Sequence, residues 1–442
     1  MTRKLAYAAY PTLGEALRFV IAAFDLRVRA EPGHVKRLDR MATVGDFDSE
    51  LFNKLVEALV EKRLSDLGDP TLGVFLAEFI RGYRMNYAKL LGKVSADALE
   101  RGQLMPLLIQ GYFPRCVADF MLEASNAGFI PAPELLLAEP LAIGPGAPRV
   151  SPLRVVLEEH LWRQGASNPD VLAAFQRTAE PGSREPDKAR DWLSGKHVPD
   201  MGQLLLSVSR SLGKRSSSGG HDLPLYLVRA IRIARALEYI LAAVPPGVDF
   251  ATEIRRLLPL GAPEFDFGTA VHGAIVQQAT EWEQLSELGL GTFARLAFDH
   301  PWDESARTHA TELLPLFEQR AASAAAPWAT EWMVRWCRAR LAIWQGRWED
   351  GLEWYDQAFK AAVYRAGPES GRLLREALGI AATMKKKAAI NRYVEQANAL
   401  NLWPPVLRGM EITSDDGEFL SEILTRAYLP YLPQRTEAPT AA

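Results

Sequence analysis

Apolar residues recur at three- and four-residue spacing along almost the whole chain, and convincing apolar–polar alternation is absent. Leu51, Leu55, Val56 and Leu59 show the pattern: at 3.6 residues per turn they share one face of a helix. This periodicity predicts an all-α, multi-helical fold. It places helices over 12–29, 48–65, 70–91, 95–109 and 114–127. After a middle region, helices resume over 223–243, 249–259, 268–287, 303–322, 328–345, 348–364, 369–384 and 386–399. With 442 residues, 48% of them apolar, the chain can close two or three domains around a sizeable core.

Breaks in the pattern suggest where such domains divide. Ile143-Gly144-Pro145-Gly146-Ala147-Pro148 marks a Pro/Gly linker over 136–150, after an N-terminal helical domain of residues 1–135. Ser216-Ser217-Ser218-Gly219-Gly220 marks a flexible linker over 216–222. Between them lies a small module, 151–215, and beyond them a long helical region, 223–430. The segment 431–442 is expected to be a disordered tail.

Charge and cysteine content narrow the function classes. The formal net charge is −3, so the whole chain offers no basic field and a nucleic acid would have to meet a local patch. Cys116 and Cys337 stand far apart in apolar helical patterns, as small buried hydrophobes in a reducing compartment would. The first apolar run stops at Pro11, too early for a signal-peptide core, and no segment approaches the ~20 apolar residues of a membrane span. Abundant Ala, Leu and Arg suit a bacterial cytoplasmic protein.

The middle region carries the sharpest local signal. Asp191-Trp192-Leu193-Ser194-Gly195-Lys196-His197-Val198-Pro199-Asp200 reads as a helix end, a turn and a helix start. Gly195 can take the left-handed conformation that stops a helix, and Pro199 suits the approach to the next. The apolar helix that follows ends at Leu212-Gly213. This Trp-x-x-Gly-Lys-x-x-Pro pattern resembles the latter half of the repressor-type helix-turn-helix family, over about 169–213. The turn at Ala179–Arg184 is longer than that family's. The resemblance implies DNA-facing residues at Arg184, Lys188, Arg190 and Lys196, with Lys214 and Arg215 meeting phosphates. Glu185, Asp187 and Asp191 alternate with them, and ten Lys/Arg face eight Asp/Glu over 150–220. The bland alternative is a packing module with a mixed-charge face.

Farther on, Ala339, Gly346, Trp348, Gly351, Tyr355 and Ala358 stand in the order of a tetratricopeptide repeat unit. The segment 328–364 is similar to one such unit of about 34 residues. It departs from the family at Arg338 and Ala342, where large apolar and aromatic residues are usual. The resemblance implies a TPR-like array over the C-terminal half, with degenerate helix pairs at 268–322 and 369–399. Trp328 and Trp332, with Arg335 beside them, are candidate surface anchors for a protein or peptide. Trp336, Trp344 and Trp348 read instead as seam fillers. Arg229, Arg232 and Arg235 recur every three residues and form a candidate ridge for phosphate or carboxylate, or else a solvated face.

Catalytic motifs are missing. The seven histidines make no metal-ligand spacing, and the Gly-rich pieces lack the strand and third glycine of a dinucleotide loop. The expectation is a non-enzymatic regulatory or adaptor protein without metal or cofactor. It would bind a protein or peptide through the array, with DNA contact through the module. A DNA-binding transcriptional regulator and a purely structural scaffold subunit are the alternatives.

Overall fold

Helix starts in this chain are set by local capping chemistry. Thr12 caps the first helix, α1 (Leu13–Ala23), by accepting from the Glu15 amide, while the Glu15 carboxylate accepts from the Thr12 amide. The helix stops where Asp25 takes a positive φ of 56°, short of the predicted 29. Asp69, Ser151, Asp200 and Asp249 cap later helices by accepting from the amide three residues on, two of them followed by proline at the first helical position.

The computed structural model describes residues 8–26, 32–44, 49–96, 99–137, 151–167, 170–178, 184–215, 221–245, 247–259, 265–277, 304–323, 327–400, 402, 403, 407, 410 and 412–428. The fold is all-α. After α1 come α2 (Pro32–Val44), α3 (Ser49–Val56), α4 (Lys62–Asp66), α5 (Pro70–Lys93), α6 (Arg101–Leu107), α7 (Phe113–Asn126) and the short α8 (Pro133–Leu136). The middle region holds α9 (Pro152–Arg163), α10 (Val171–Thr178), α11 (Glu185–Leu193) and α12 (Met201–Leu212). Then follow α13 (Leu225–Ala243), α14 (Phe250–Leu257), α15 (Phe267–Gln277), α16 (Glu304–Ser323) and α17 (Pro327–Trp344). The series closes with α18 (Trp348–Ala362), α19 (Pro368–Thr383), α20 (Lys387–Leu400) and α21 (Gly417–Tyr428).

Two predicted breaks are not breaks. The helices expected at 95–109 and 114–127 are one rod, α6–α7, joined by a π turn at Leu108–Tyr112. Pro106 and Pro114 each remove an N–H from the ladder, and the rod absorbs the loss by letting Phe113 donate to Leu108, five residues back. A second π turn, Glu57–Glu61, joins α3 to α4. The segment 216–222 is not wholly a linker either. His221-Asp222 pairs antiparallel with Lys214-Arg215 in a two-residue ladder, while 216–220 lie outside the described residues. Most of the 136–150 linker and all of the 431–442 tail lie outside them too.

One hydrophobic core runs from Ala8 to Leu424 and crosses the divisions drawn at 135 and 215. Helices α19 and α20 pack on α5, and the loop between α18 and α19 adds hydrogen bonds to the N-terminal layer. Tyr364 takes the Tyr10 amide (3.3 Å) and Arg365 takes the Ala96 amide (2.8 Å) on their carbonyls. The fully buried Arg365 guanidinium donates back to the Leu99 carbonyl (3.0 Å). Gly367, at φ +55°, passes so near Ser95 that a Cβ would lie 2.6 Å from its amide nitrogen.

Candidate functional site

Within the middle region, α10 lies against α9, α11 and α12. Its end is tied to the end of α12 by a Thr178–Ser211 hydroxyl bond (2.9 Å). The turn between α11 and α12 follows the chemistry of its residues. Gly195 is left-handed at φ 69°, and its amide donates to Trp192 while those of Lys196 and His197 donate to Asp191. Asp200 then caps α12 through the Gln203 amide (3.1 Å).

Helix α11 divides its residues cleanly. Ala189, Trp192 and Leu193 are buried against the module, whereas Arg184, Lys188, Arg190 and Lys196 are exposed along its outer edge. They are not equally available. Arg190 donates to Asp187 (3.2 Å) and Lys196 to Asp191 (3.3 Å), and Arg210 of α12 reaches Glu185 (3.1 Å). Arg184 and Lys188 have no ion-pair partner among the described residues. The backbone of Lys214 and Arg215 sits in the two-residue ladder beyond α12, and their side chains lie outside the described set.

The arginine ridge on α13 is neither a ligand surface nor a solvated face. Arg232 and Arg235 are buried, 4% and 6% exposed, because α13 is wrapped by other helices. Burial pulls both guanidinium groups below the usual arginine range, an effect that Asp69 opposes at Arg232 and Asp25 at Arg235. Arg235 works as a clamp: it donates to the Pro199 carbonyl (3.0 Å) and to the Ala22 carbonyl (2.9 Å). Arg229 forms a two-pronged pair with Asp69 (2.6 and 3.0 Å) and lies 4.4 Å from the Phe129 ring centre. The ridge therefore joins helices. The spacing of three that suggested a solvent-facing row places these residues on a helix with neighbours on several sides.

Asp25 was not singled out by any motif, yet its carboxylate accepts from the Met201 amide (2.8 Å) at the start of α12. With Arg235 it fixes the module to the end of α1. The helix expected over 12–29 put Asp25 in its interior, so no sequence signal marked it.

The tryptophan anchors are corrected as well. Trp332 is 4% exposed and stacks on Trp336 at 6.0 Å, so it fills the array instead of presenting a surface. Arg335 is spent on the Gln357 carbonyl (3.2 Å) and on Glu331. The Trp328 side chain lies outside the described residues. Trp336 and Trp348 are buried and Trp344 half-buried, as seam fillers are. At the centre of these hairpins sits Glu376, fully buried. It accepts from Trp336 Nε1 (2.7 Å), Arg340 Nε (2.8 Å) and the Tyr355 hydroxyl (3.0 Å), and pairs again with Arg340 Nη2.

Burial pushes both thiols, Cys116 and Cys337, up to about 12. Neither is a thiolate near neutral pH, so neither is a ready nucleophile. Among the described residues no cluster of His, Cys, Asp or Glu could hold a metal ion, and no helix is long and apolar enough to cross a membrane. No protein-family model matches the chain, and neither a curated protein nor a solved structure matches it.

Proposed function

We propose that the protein is a non-enzymatic, cytoplasmic regulator that contacts nucleic acid through the outer edge of α11. One observation carries this reading: α11 buries its apolar residues while four cations on it and at its two ends are exposed, of which Arg184 and Lys188 have no ion-pair partner among the described residues. Exposed cations on a rigid helix can neutralise phosphates and release counterions. The short helices, the Gly195 stop and the helix-turn-helix resemblance support the same reading. The TPR-like helices then act as a frame, because their supposed peptide anchors, Trp332 and Arg335, are occupied within the fold. A protein partner remains the second reading, favoured by Trp162 of α9, which is 64% exposed on the flank of the module.

Fluorescence anisotropy with a random-sequence DNA duplex over a salt series tests the proposal. Binding should weaken steeply with salt, and Arg184→Glu/Lys188→Glu should weaken it at every sequence and flatten the log–log salt slope by about 2. Trp162→Ala should leave duplex affinity unchanged. Absence of salt-dependent binding, or equal binding by the double variant, overturns the reading.

A further inference from the structure

The N-terminal layer is not solid. A cavity of about 330 Å³ lies between α1, α5, the α6–α7 rod and α13. Its walls are almost wholly apolar: Leu17 and Val20 from α1, Phe79 from α5, Ile109 and Phe120 from the rod, Ile240 from α13. Ile109 belongs to the π turn, so the distortion forced by Pro106 and Pro114 forms part of the wall. Phe19 and Ala243 are the exposed members of the lining and mark the way in.

Water is a poor occupant of such a space, because an ordered water needs two to four polar partners. An apolar cavity of about 150 Å³ stays dry and takes up benzene. This one, at about 330 Å³, has room for an apolar body roughly twice that size, about a dozen carbons.

The polar groups at the wall define the head of such a ligand. Glu15 and Arg101 both line the cavity and pair at 3.0 Å. Both Glu15 oxygens are engaged, Oε1 by Arg101 Nη1 and Oε2 by the Thr12 amide (2.8 Å). Arg101 gives only that one N–H among the described residues, out of the five that a guanidinium carries. The polar end therefore has spare donors on a permanent cation and occupied acceptors, which suits an anionic head. The remaining polar groups of the wall, Tyr83 and Cys116, are both held neutral by burial, so the cavity is built to hold a molecule and not to attack it.

We propose that this cavity binds one medium-chain carboxylic acid, its chain among the apolar walls and its carboxylate on Arg101. The proposal is independent of the nucleic-acid reading. It is tested on the full chain with dodecanoate below its micellar concentration, using calorimetry and displacement of 1-anilinonaphthalene-8-sulfonate. One equivalent should bind saturably, and 1-dodecanol should bind at least tenfold more weakly. Arg101→Gln should erase the difference between acid and alcohol. Ile240→Trp, which fills the cavity, should abolish binding of both while circular dichroism and Tm stay unchanged. Should that variant fail to fold, Val20→Phe fills the same space from α1. No saturable binding overturns the proposal. So does binding of several equivalents that a filling variant leaves intact, as adsorption on the surface would give. Equal affinity for acid and alcohol in the unmodified chain overturns the anionic head.

Discussion

The N-terminal layer and the C-terminal hairpins use the same materials to opposite ends. Each packs helices around aromatic seams, and in each an arginine–glutamate pair holds a telling position. In the hairpins the pair, Arg340–Glu376, sits at the centre with its side chains 6% and 1% exposed, and Trp336 and Tyr355 satisfy the same carboxylate. In the N-terminal layer the pair, Arg101–Glu15, is half-exposed at the edge of an apolar cavity. A buried carboxylate with several donors draws helices inward and specifies one arrangement, whereas an edge pair leaves the space behind it unclaimed. The position of one charge pair thus separates a filled seam from a receptacle.

The largest break in that comparison comes from the two glutamates. Glu376→Ala would leave Arg340 buried without its counter-charge and orphan the Trp336 and Tyr355 donors. Removing one partner of a buried pair costs about 3–5 kcal/mol, so urea unfolding should show a loss of that order. Glu15→Gln removes an edge pair and retains an acceptor for the Thr12 amide. It should cost no more than about 1 kcal/mol. Comparable losses for the two variants would mean that the pairs are not as different as their exposure implies.

Adding volume probes the same contrast with a smaller effect. Ala377 of α19 is fully buried in the hairpins, while Ala236 of α13 lines the cavity. Ala377→Leu forces extra methyl groups into an occupied core and should destabilise by about 1–3 kcal/mol in chemical denaturation. Ala236→Leu places them where there is room and should be neutral or stabilising. Equal destabilisation by both would show that the cavity closes in solution.

Much of this architecture was legible in the sequence. Helix positions followed from the spacing of residues such as Leu51, Leu55 and Leu59, and one start from the turn ending at Asp200, because periodicity and turn chemistry are local. Gly195 and Gly346 were readable as stops for the same reason, both being left-handed in the structure. Gly351 was readable as a close approach: a Cβ there would come within 2.5 Å of Ile343. What local patterns could not show is which neighbours a helix acquires. Arg232 and Arg235 look solvent-facing until α13 is surrounded, and Trp332 looks like an anchor until the next hairpin covers it. The cavity left no motif because its walls come from helices far apart in the chain and are made of ordinary core residues. Only the prolines at 106 and 114 hinted that the rod would be irregular there.

The smallest effect appears only in alkali and compares one thiol from each region. Cys116 borders the cavity and Cys337 packs between α16 and α17 in a small satellite cluster. Burial raises each from about 9 to about 12, so the folded protein favours the neutral thiol. For a group whose pKa rises on folding, the stabilisation is complete below the unfolded value and is lost as pH climbs toward the folded one. Below pH 9 the two thiols leave stability flat, and above it stability should fall as pH rises, by less for the more exposed thiol. Cys337 is 4% exposed, whereas Cys116 is half-buried beside open space. Unfolding free energies measured across that range should therefore lose more slope with Cys337→Ala than with Cys116→Ala. The reverse order would mean that the cavity side of Cys116 is drier than its exposure suggests, and that the N-terminal layer is the better sealed of the two.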